Sequence, residues 1–374
     1  MRWDEDFNSK QLIVDNRPSY IAVDIGGTKI ASAIVAMTES AYMEDSGTDS
    51  EDFVGLPSSQ ILRKAASKAD ALTEAEHTAA VSCRVRKPTD ALSGGPHVLR
   101  TVVKLIERQY ERARNAGITI RGIGIGSAGV VDSERGIIIS ATDIMPGWAG
   151  QCVARALQES PVVGSVPVYM VGDVGAHGLG EALYGAGKGY ESVLSLGIGT
   201  GIGGAYIERG TLKSGAHGAA GHAGHVSHGL GAGVLCSCGA YGHIEPVASG
   251  TGLATLYNLR KDKHTATALN GADVVERMMN GESFARTIVY ESAKALGECI
   301  AGMANLIDPS IIVMSGSVVK AGQVWWDALR EGFFSSALGP IQETKLVSGE
   351  LGDDAPLIGA AYAVHAYISA RKER

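Results

Sequence analysis

Cysteine is scarce in this chain: five in 374 residues, two of them one residue apart. That number and spacing exclude a disulfide framework and suit reduced thiols. No basic block is present, and 33 Lys and Arg face 40 Asp and Glu, for a net charge of −7 at pH 7. This balance argues against a nucleic-acid surface and against attachment to an anionic membrane. No apolar run reaches the length of a membrane span. The opening stretch MRWDEDFNSKQLIVDN is acidic and lacks the apolar core of a secretory signal. A cytoplasmic protein without membrane or nucleic-acid partners is expected.

Glycine is abundant instead, with 50 residues, beside 45% apolar and 20% charged residues. The length fits two globular domains. YIAVD at residues 20–24 and KIASAIV at 29–35 read as a hairpin about GGT. Residues 38–76 are acidic and then Ala-rich, a composition that buries little surface and reads as an inserted, exposed segment. A strand follows at 78–85. Leu99, Val102, Val103 and Ile106 then mark a helix over 98–114. Strands are expected at 121–131 and 166–171, a helix at 176–184, and strands at 192–196 and 204–208 about GIGTG. The last third is mostly helical, with Ala295, Leu296, Cys299, Ile300, Met303 and Leu306 on one stripe. Strand 311–314, a helix holding Trp325 and Trp326, and an apolar helix over 359–370 complete it. The hairpin near Asp24 is echoed near Gly197, as two similar α/β halves would require.

Residues 215–249 concentrate His217, His222, His225, His228 and His243 with Cys236 and Cys238. A soft divalent ion takes four Cys or His ligands in a tetrahedron. Cys236 and Cys238 form a close pair, His243 follows on the same loop, and His225 lies just upstream. The spacing is irregular for a zinc finger, so it indicates a bound metal without saying what the metal serves.

GIGSAG at 124–129 and GTGIGG at 199–204 satisfy G-x-G-x-x-G, but strand-like segments follow both where a dinucleotide fold needs a helix. No Walker loop is present. Glycine turns between strands can still bind phosphate, because backbone N–H groups approach its oxygens closely. Gly26, Gly27 and Thr28 offer this in one half, and Gly199, Thr200 and Gly201 in the other. Asp173 stands at a strand end before a helix, either as a cap or as a base facing a cleft. In phosphoryl transfer such an Asp takes the proton of an attacking hydroxyl, and Asp24 is a candidate to hold Mg2+ through water. The residues alone reach a phosphotransferase of unknown acceptor.

DIGGTK at 24–29, GSAGVVD at 126–132, Asp173, GTGIGG at 199–204, GHAGH at 221–225, CSCGAYGHIE at 236–245 and IVMSGSV at 312–318 together resemble the ROK family of sugar kinases and sugar-responsive repressors. The resemblance runs in order from about residue 20 to 370. It implies an α/β, actin-like (hexokinase-like, ribonuclease H-like) fold with two domains around a cleft. The expected boundaries are an extension 1–19, an N-terminal domain 20–146 completed by helix 357–374, and a C-terminal domain 147–356 carrying the loop 215–249. It also implies ATP on the two glycine turns, Lys29 and Gly316. The sugar would meet Gly129, Asp143, Gly172, His222, His225 and Glu245, and Asp173 would be the base. Zinc on His225, Cys236, Cys238 and His243 would be structural, and a homodimer is expected.

Several departures stand out. His243 replaces the third Cys of C-x-C-G-x-x-G-C, which implies a two-Cys, two-His site. Gly172 and Asp143 stand where the family usually has Asn. His222 replaces the Glu of E-x-G-H, as in bacterial N-acetylmannosamine kinases, and a neutral His can donate where Glu only accepts. The resemblance implies phosphorylation of a sugar 6-hydroxyl, and His222 tips the expected sugar to N-acetylmannosamine, with glucose or N-acetylglucosamine as alternatives. Gly172 and Asp143 put sugar binding in doubt. The competing class is a non-catalytic sugar sensor or repressor. A DNA-binding helix-turn-helix is not expected, because only nineteen acidic residues precede Tyr20.

Overall fold

The computed structural model describes residues 4–5, 17–38, 78–142 and 144–372. These divide into two compact units, one running to Glu191 and taking in Arg209–Thr211 and the chain from Asp353 onward. The other comprises Ser192–Glu208 and Leu212–Gly352. Residues 39–76 of the expected insertion and Asp143 lie outside the described residues.

The first unit holds a six-stranded sheet in the order β1-β4-β3-β2-β5-β8. Its strands are β1 (Asp4–Glu5), β2 (Ser19–Ile25), β3 (Lys29–Met37), β4 (Ala79–Pro88), β5 (Ile120–Ser127) and β8 (Val168–Gly172). A ribbon of β6 (Val130–Asp132) and β7 (Ile137–Ser140) stands apart. β2, β3 and β4 pair antiparallel, whereas β2, β5 and β8 run parallel. β2 and β5 are apolar without alternation because both their faces are covered. Helix Gly95–Asn115 turns Val98, Val102, Leu105 and Ile106 into a cluster with Ile21, Val23, Ile123 and Ile125. Each such side chain contributes roughly 1.5–3 kcal/mol by leaving water. Helices Asp173–Tyr184 and Ala355–Lys372 also pack on this sheet and on one another. They pack so closely that a Cβ on Gly359 would lie 1.7 Å from the Ala176 carbonyl oxygen.

The expected domain boundary after residue 146 shifts to Glu191. The reason is β8, which pairs with β5 from Ile123↔Val168 to Ser127↔Gly172 and carries its segment into the first sheet.

The second unit repeats the plan in the order β11-β10-β9-β12-β13. These are β9 (Ser192–Ile198), β10 (Ile202–Glu208), β11 (Thr211–Leu212), β12 (Ile311–Ser315) and β13 (Lys345–Ser348). β9 and β10 form the antiparallel hairpin, and β9, β12 and β13 run parallel. Helices Ser283–Ile307 and Gln323–Ser336 lie together, burying Leu296, Ile300, Trp325 and Phe333. The expected stripe ends before Leu306, which is 85% exposed. From Met303, a turn of 3.6 residues carries the seam to Ile307, which packs on the core instead. No helix among the described residues is long and apolar enough to cross a membrane.

Candidate active site and metal loop

In the first unit, register brings two acids to the carboxyl ends of parallel strands. Asp24 pairs with Gly126, Gly126 with Val171, and Asp173 follows two residues later. A Cβ on Gly126 would lie 3.8 Å from Asp24 Oδ1, 3.6 Å from Asp173 Cα and 3.0 Å from Ala176 Cβ, so the two acids flank this glycine. The helix starts at Asp173 itself, three residues earlier than expected, and Oδ1 accepts the Val174 N–H at 2.8 Å. A negative charge there is favoured by the helix dipole. Asp24 is partly covered at its surface but deep among neighbouring atoms. That desolvation, then the charge of Asp173, pushes its carboxyl up to about 7 against the pull of Lys29. A cation beside these acids would favour the ionised form.

The turn after Asp24 is held by its carbonyls. Gly26 O accepts the Thr89 hydroxyl at 2.6 Å, and Thr28 O accepts the Thr89 N–H at 3.1 Å. The N–H groups of Gly27 and Thr28 have no hydrogen-bond partner among the described residues. Such amides suit an anion. Lys29 Nζ, half-exposed, donates to Asp353 Oδ1 at 2.9 Å. Arg86 also pairs with Asp353, and Arg84 Nε reaches Asp354 Oδ1 at 2.8 Å. The Lys29 hydrogen bond holds Asp353 below the usual carboxylate range.

The turn at 199–201 has the same character. Gly199 O accepts the Gly250 N–H at 2.7 Å, and Thr200 O accepts the Thr251 hydroxyl at 2.7 Å. The Thr200 and Gly201 amides have no partner among the described residues. Gly316 is at φ +109°, and a Cβ there would lie 2.3 Å from the Ile198 carbonyl oxygen. Only glycine lets the turn after β12 approach β9 so closely. Neither G-x-G-x-x-G stretch opens a helix; β6 and β10 follow them.

The metal-loop residues converge. The ligating atoms of His225, Cys236, Cys238 and His243 all lie within 4.8 Å of one another. Cys236 Sγ is 3.4 Å from His225 Nδ1, and Cys238 Sγ is 3.3 Å from His243 Nδ1. Zinc bond lengths in a tetrahedron imply S···N edges of about 3.6 Å. The donor set, two thiols and two imidazoles at near-ligating separations, therefore fits zinc. Burial raises the Cys236 thiol and lowers His225, so His225 favours the neutral form that ligates. An antiparallel bridge Ser227↔His243 and the Cys236 N–H bond to Ala240 O, at 2.8 Å, shape the loop.

Around this loop, the exposed His222 stacks on His225 with ring centroids 5.9 Å apart. Its Nδ1 lies 2.9 Å from Ala219 O. A carbonyl only accepts, so Nδ1 carries the proton and the neutral ring presents Nε2 as an acceptor. Glu245 Oε2 accepts the Ile202 N–H at 2.9 Å, and Oε1 accepts the Ser237 hydroxyl at 2.8 Å. Gly129 turns at φ +95° between β5 and β6, and the space a Cβ would fill at Gly172 is open. Thr89, Thr251, Ser237 and Asp353 are contributors that sequence reasoning passed over. Only Asp353, in an acidic pair ahead of a helix, left a local signal.

A sequence model of the ROK family matches residues 65–367. A glucokinase from Halalkalibacterium halodurans is 30% identical over 290 residues, 74% of this chain and 86% of that protein. A ROK hexokinase from Thermus thermophilus superimposes with a TM-score of 0.69 at 26% identity, covering 95% of this chain and 99% of that one. A ROK glucokinase from Streptomyces griseus, solved with glucose and AMPPNP, gives 0.67 at 24% identity over 92% and 98%. The fold is the actin-like, hexokinase-like α/β fold expected from the motifs. With the family model spanning most of its length, the chain belongs to the ROK family.

Proposed function

We propose that this protein is an ATP-dependent sugar kinase that phosphorylates the 6-hydroxyl of a hexose or N-acylhexosamine. The observation that carries the reading is the pair Asp24 and Asp173, at the ends of β2 and β8 on either side of Gly126 in β5, beside a turn whose Gly27 and Thr28 amides have no partner among the described residues. Asp173 takes the proton of the 6-hydroxyl. The hydroxyl oxygen bonds to the γ-phosphorus as the bond to the β,γ-bridging oxygen breaks, and ADP leaves with that electron pair. Asp24 would hold Mg2+ through water, and the ion would offset charge on the phosphates. Gly26, Gly27, Thr28 and Lys29 form one phosphate-binding turn, and Gly199, Thr200, Gly201 and Gly316 form a second turn for the nucleotide. Gly129, Asp143, Gly172, His222, His225 and Glu245 recognise the sugar. His225, Cys236, Cys238 and His243 would hold a structural zinc, which would fix the loop that presents His225 and Glu245. The protein works as a cytoplasmic homodimer.

Two sugars compete for the assignment. The H-x-G-H stretch, His222 to His225, favours N-acetylmannosamine. The glucokinase relative and the acceptor left on His222 Nε2 favour glucose, because an acceptor there mimics the family's Glu. An ADP-release assay with MgATP and glucose, N-acetylglucosamine, N-acetylmannosamine and mannose separates them. Turnover led by N-acetylmannosamine assigns specificity to His222, and turnover led by glucose withdraws that assignment. Silence on every sugar from folded, zinc-loaded protein refutes the kinase and favours a sensor impaired at Gly172 and Asp143.

A further inference from the structure

One carboxylate joins the metal loop to the second glycine turn. Ser237 sits between the ligands Cys236 and Cys238, and its hydroxyl donates to Glu245 Oε1 at 2.8 Å. The other oxygen, Oε2, accepts the N–H of Ile202, the first strand residue after the 199–201 turn, at 2.9 Å. The fit around this carboxylate is close. A Cβ on Gly201 would lie 2.7 Å from Oε2. A Cβ on Gly224, the neighbour of His225, would lie 3.1 Å from that oxygen and 2.5 Å from the Ile202 carbonyl oxygen. Glu245 is therefore held by the Cys loop, the His225 turn and the glycine turn together. Ser237 is exposed, and its direction depends on how Cys236 and Cys238 are held. Gly239 and Gly242, at φ +88° and +87°, let that loop turn tightly, and backbone bonds from Cys236 to Ala240 and from Gly242 to Val234 hold its ends.

We propose that Ser237 is a positioning residue that couples metal occupancy to the phosphate turn. With His225, Cys236, Cys238 and His243 gathered on one ion, Ser237 orients Glu245, and Glu245 fixes the Ile202 amide and the turn before it. The metal then governs nucleotide affinity as well as the shape of its own loop. This rests on the reading of residues 199–201 as a phosphate site.

Amide hydrogen exchange over residues 199–204 of the full chain, with and without a chelator, tests the coupling. Chelation is expected to speed Ile202 exchange on the order of tenfold in the wild type. Ser237→Ala is expected to keep one zinc per chain by elemental analysis yet exchange at the chelated rate, with little further change on chelation. That non-additivity marks two steps of one path. Ser237→Thr should restore protection. In turnover, Ser237→Ala should raise the KM for ATP on the order of tenfold with kcat nearly unchanged, as loss of uniform binding requires. Should Ser237→Ala lose its zinc, Glu245→Gln, which alters no ligand, decides: Ile202 exchange must become insensitive to chelation. Unchanged exchange in metal-bound Ser237→Ala, or equal acceleration by chelation in wild type and Glu245→Gln, overturns the coupling. Intact coupling in a protein silent on every sugar overturns only the kinase reading.

Discussion

The two glycine turns solve one problem with different surroundings. Each is gripped by its carbonyls and leaves two amides unused. The first is gripped by the buried Thr89 and flanked by Lys29, Asp353 and Arg86, whose charges lie near the surface. The second is gripped by Thr251 and by Glu245, which leads to a metal loop. Hydrogen bonds to fixed neighbours, and a metal once bound, hold geometry with little dependence on ionic strength, whereas exposed ion pairs are screened. The first turn should therefore respond to charge and pH, and the second to metal.

The largest effect belongs to Asp173, on the first side of this contrast. Asp173→Asn should lower kcat by about 10²–10⁴-fold with an unchanged melting curve, as loss of a general base requires. Near-normal turnover would remove Asp173 from the mechanism. Next comes the metal. Untreated protein should hold one zinc per chain, and Cys236→Ser should lose it along with several kcal/mol of stability. Elemental analysis and calorimetry check this, and protein purified without zinc would sink the site.

Asp24 gives a smaller effect with a definite sign. Its carboxyl is raised to about 7 from an ordinary 3.8, so between those values the folded chain holds a proton that the unfolded chain releases. Its contribution is complete below about pH 4 and is lost as pH rises through about 7. Asp24→Asn should thus match the wild type near pH 4 and exceed it by a few kcal/mol at pH 8. Urea unfolding without added Mg2+ measures the difference, and parallel curves would contradict it. The smallest effect is at Asp353. Asp353→Asn weakens two exposed pairs, to Lys29 and Arg86, and should cost about 1 kcal/mol or less. By releasing Lys29 it should lower the KM for ATP severalfold at low salt, with the gain fading at high salt. A raised KM would mean that Asp353 presents Lys29 to phosphate instead of withholding it.

Patterns within a few residues were legible in advance. The hairpins about residues 26–28 and 199–201, the apolar stripe of helix Gly95–Asn115 and the grouping of Cys236, Cys238 and His243 all follow from local periodicity or spacing. Misreadings arose where a distant partner decided the outcome. Residues 147–191 joined the first unit because β5 offered β8 an edge. Leu306 stayed in water because the seam drifted to Ile307.

The sequence by itself determined the family, the two-hairpin plan and the grouping of two cysteines with a histidine, because glycines, cysteines and strand periodicity act over short range. Only the tertiary structure decided which groups share a partner. Asp24 meets Asp173 through three strands in register, and Ser237 meets Ile202 through the two oxygens of Glu245. Those meetings depend on sheet register and on glycines whose missing Cβ lets backbone and carboxylate close, and both are properties of packed neighbours far apart in the chain.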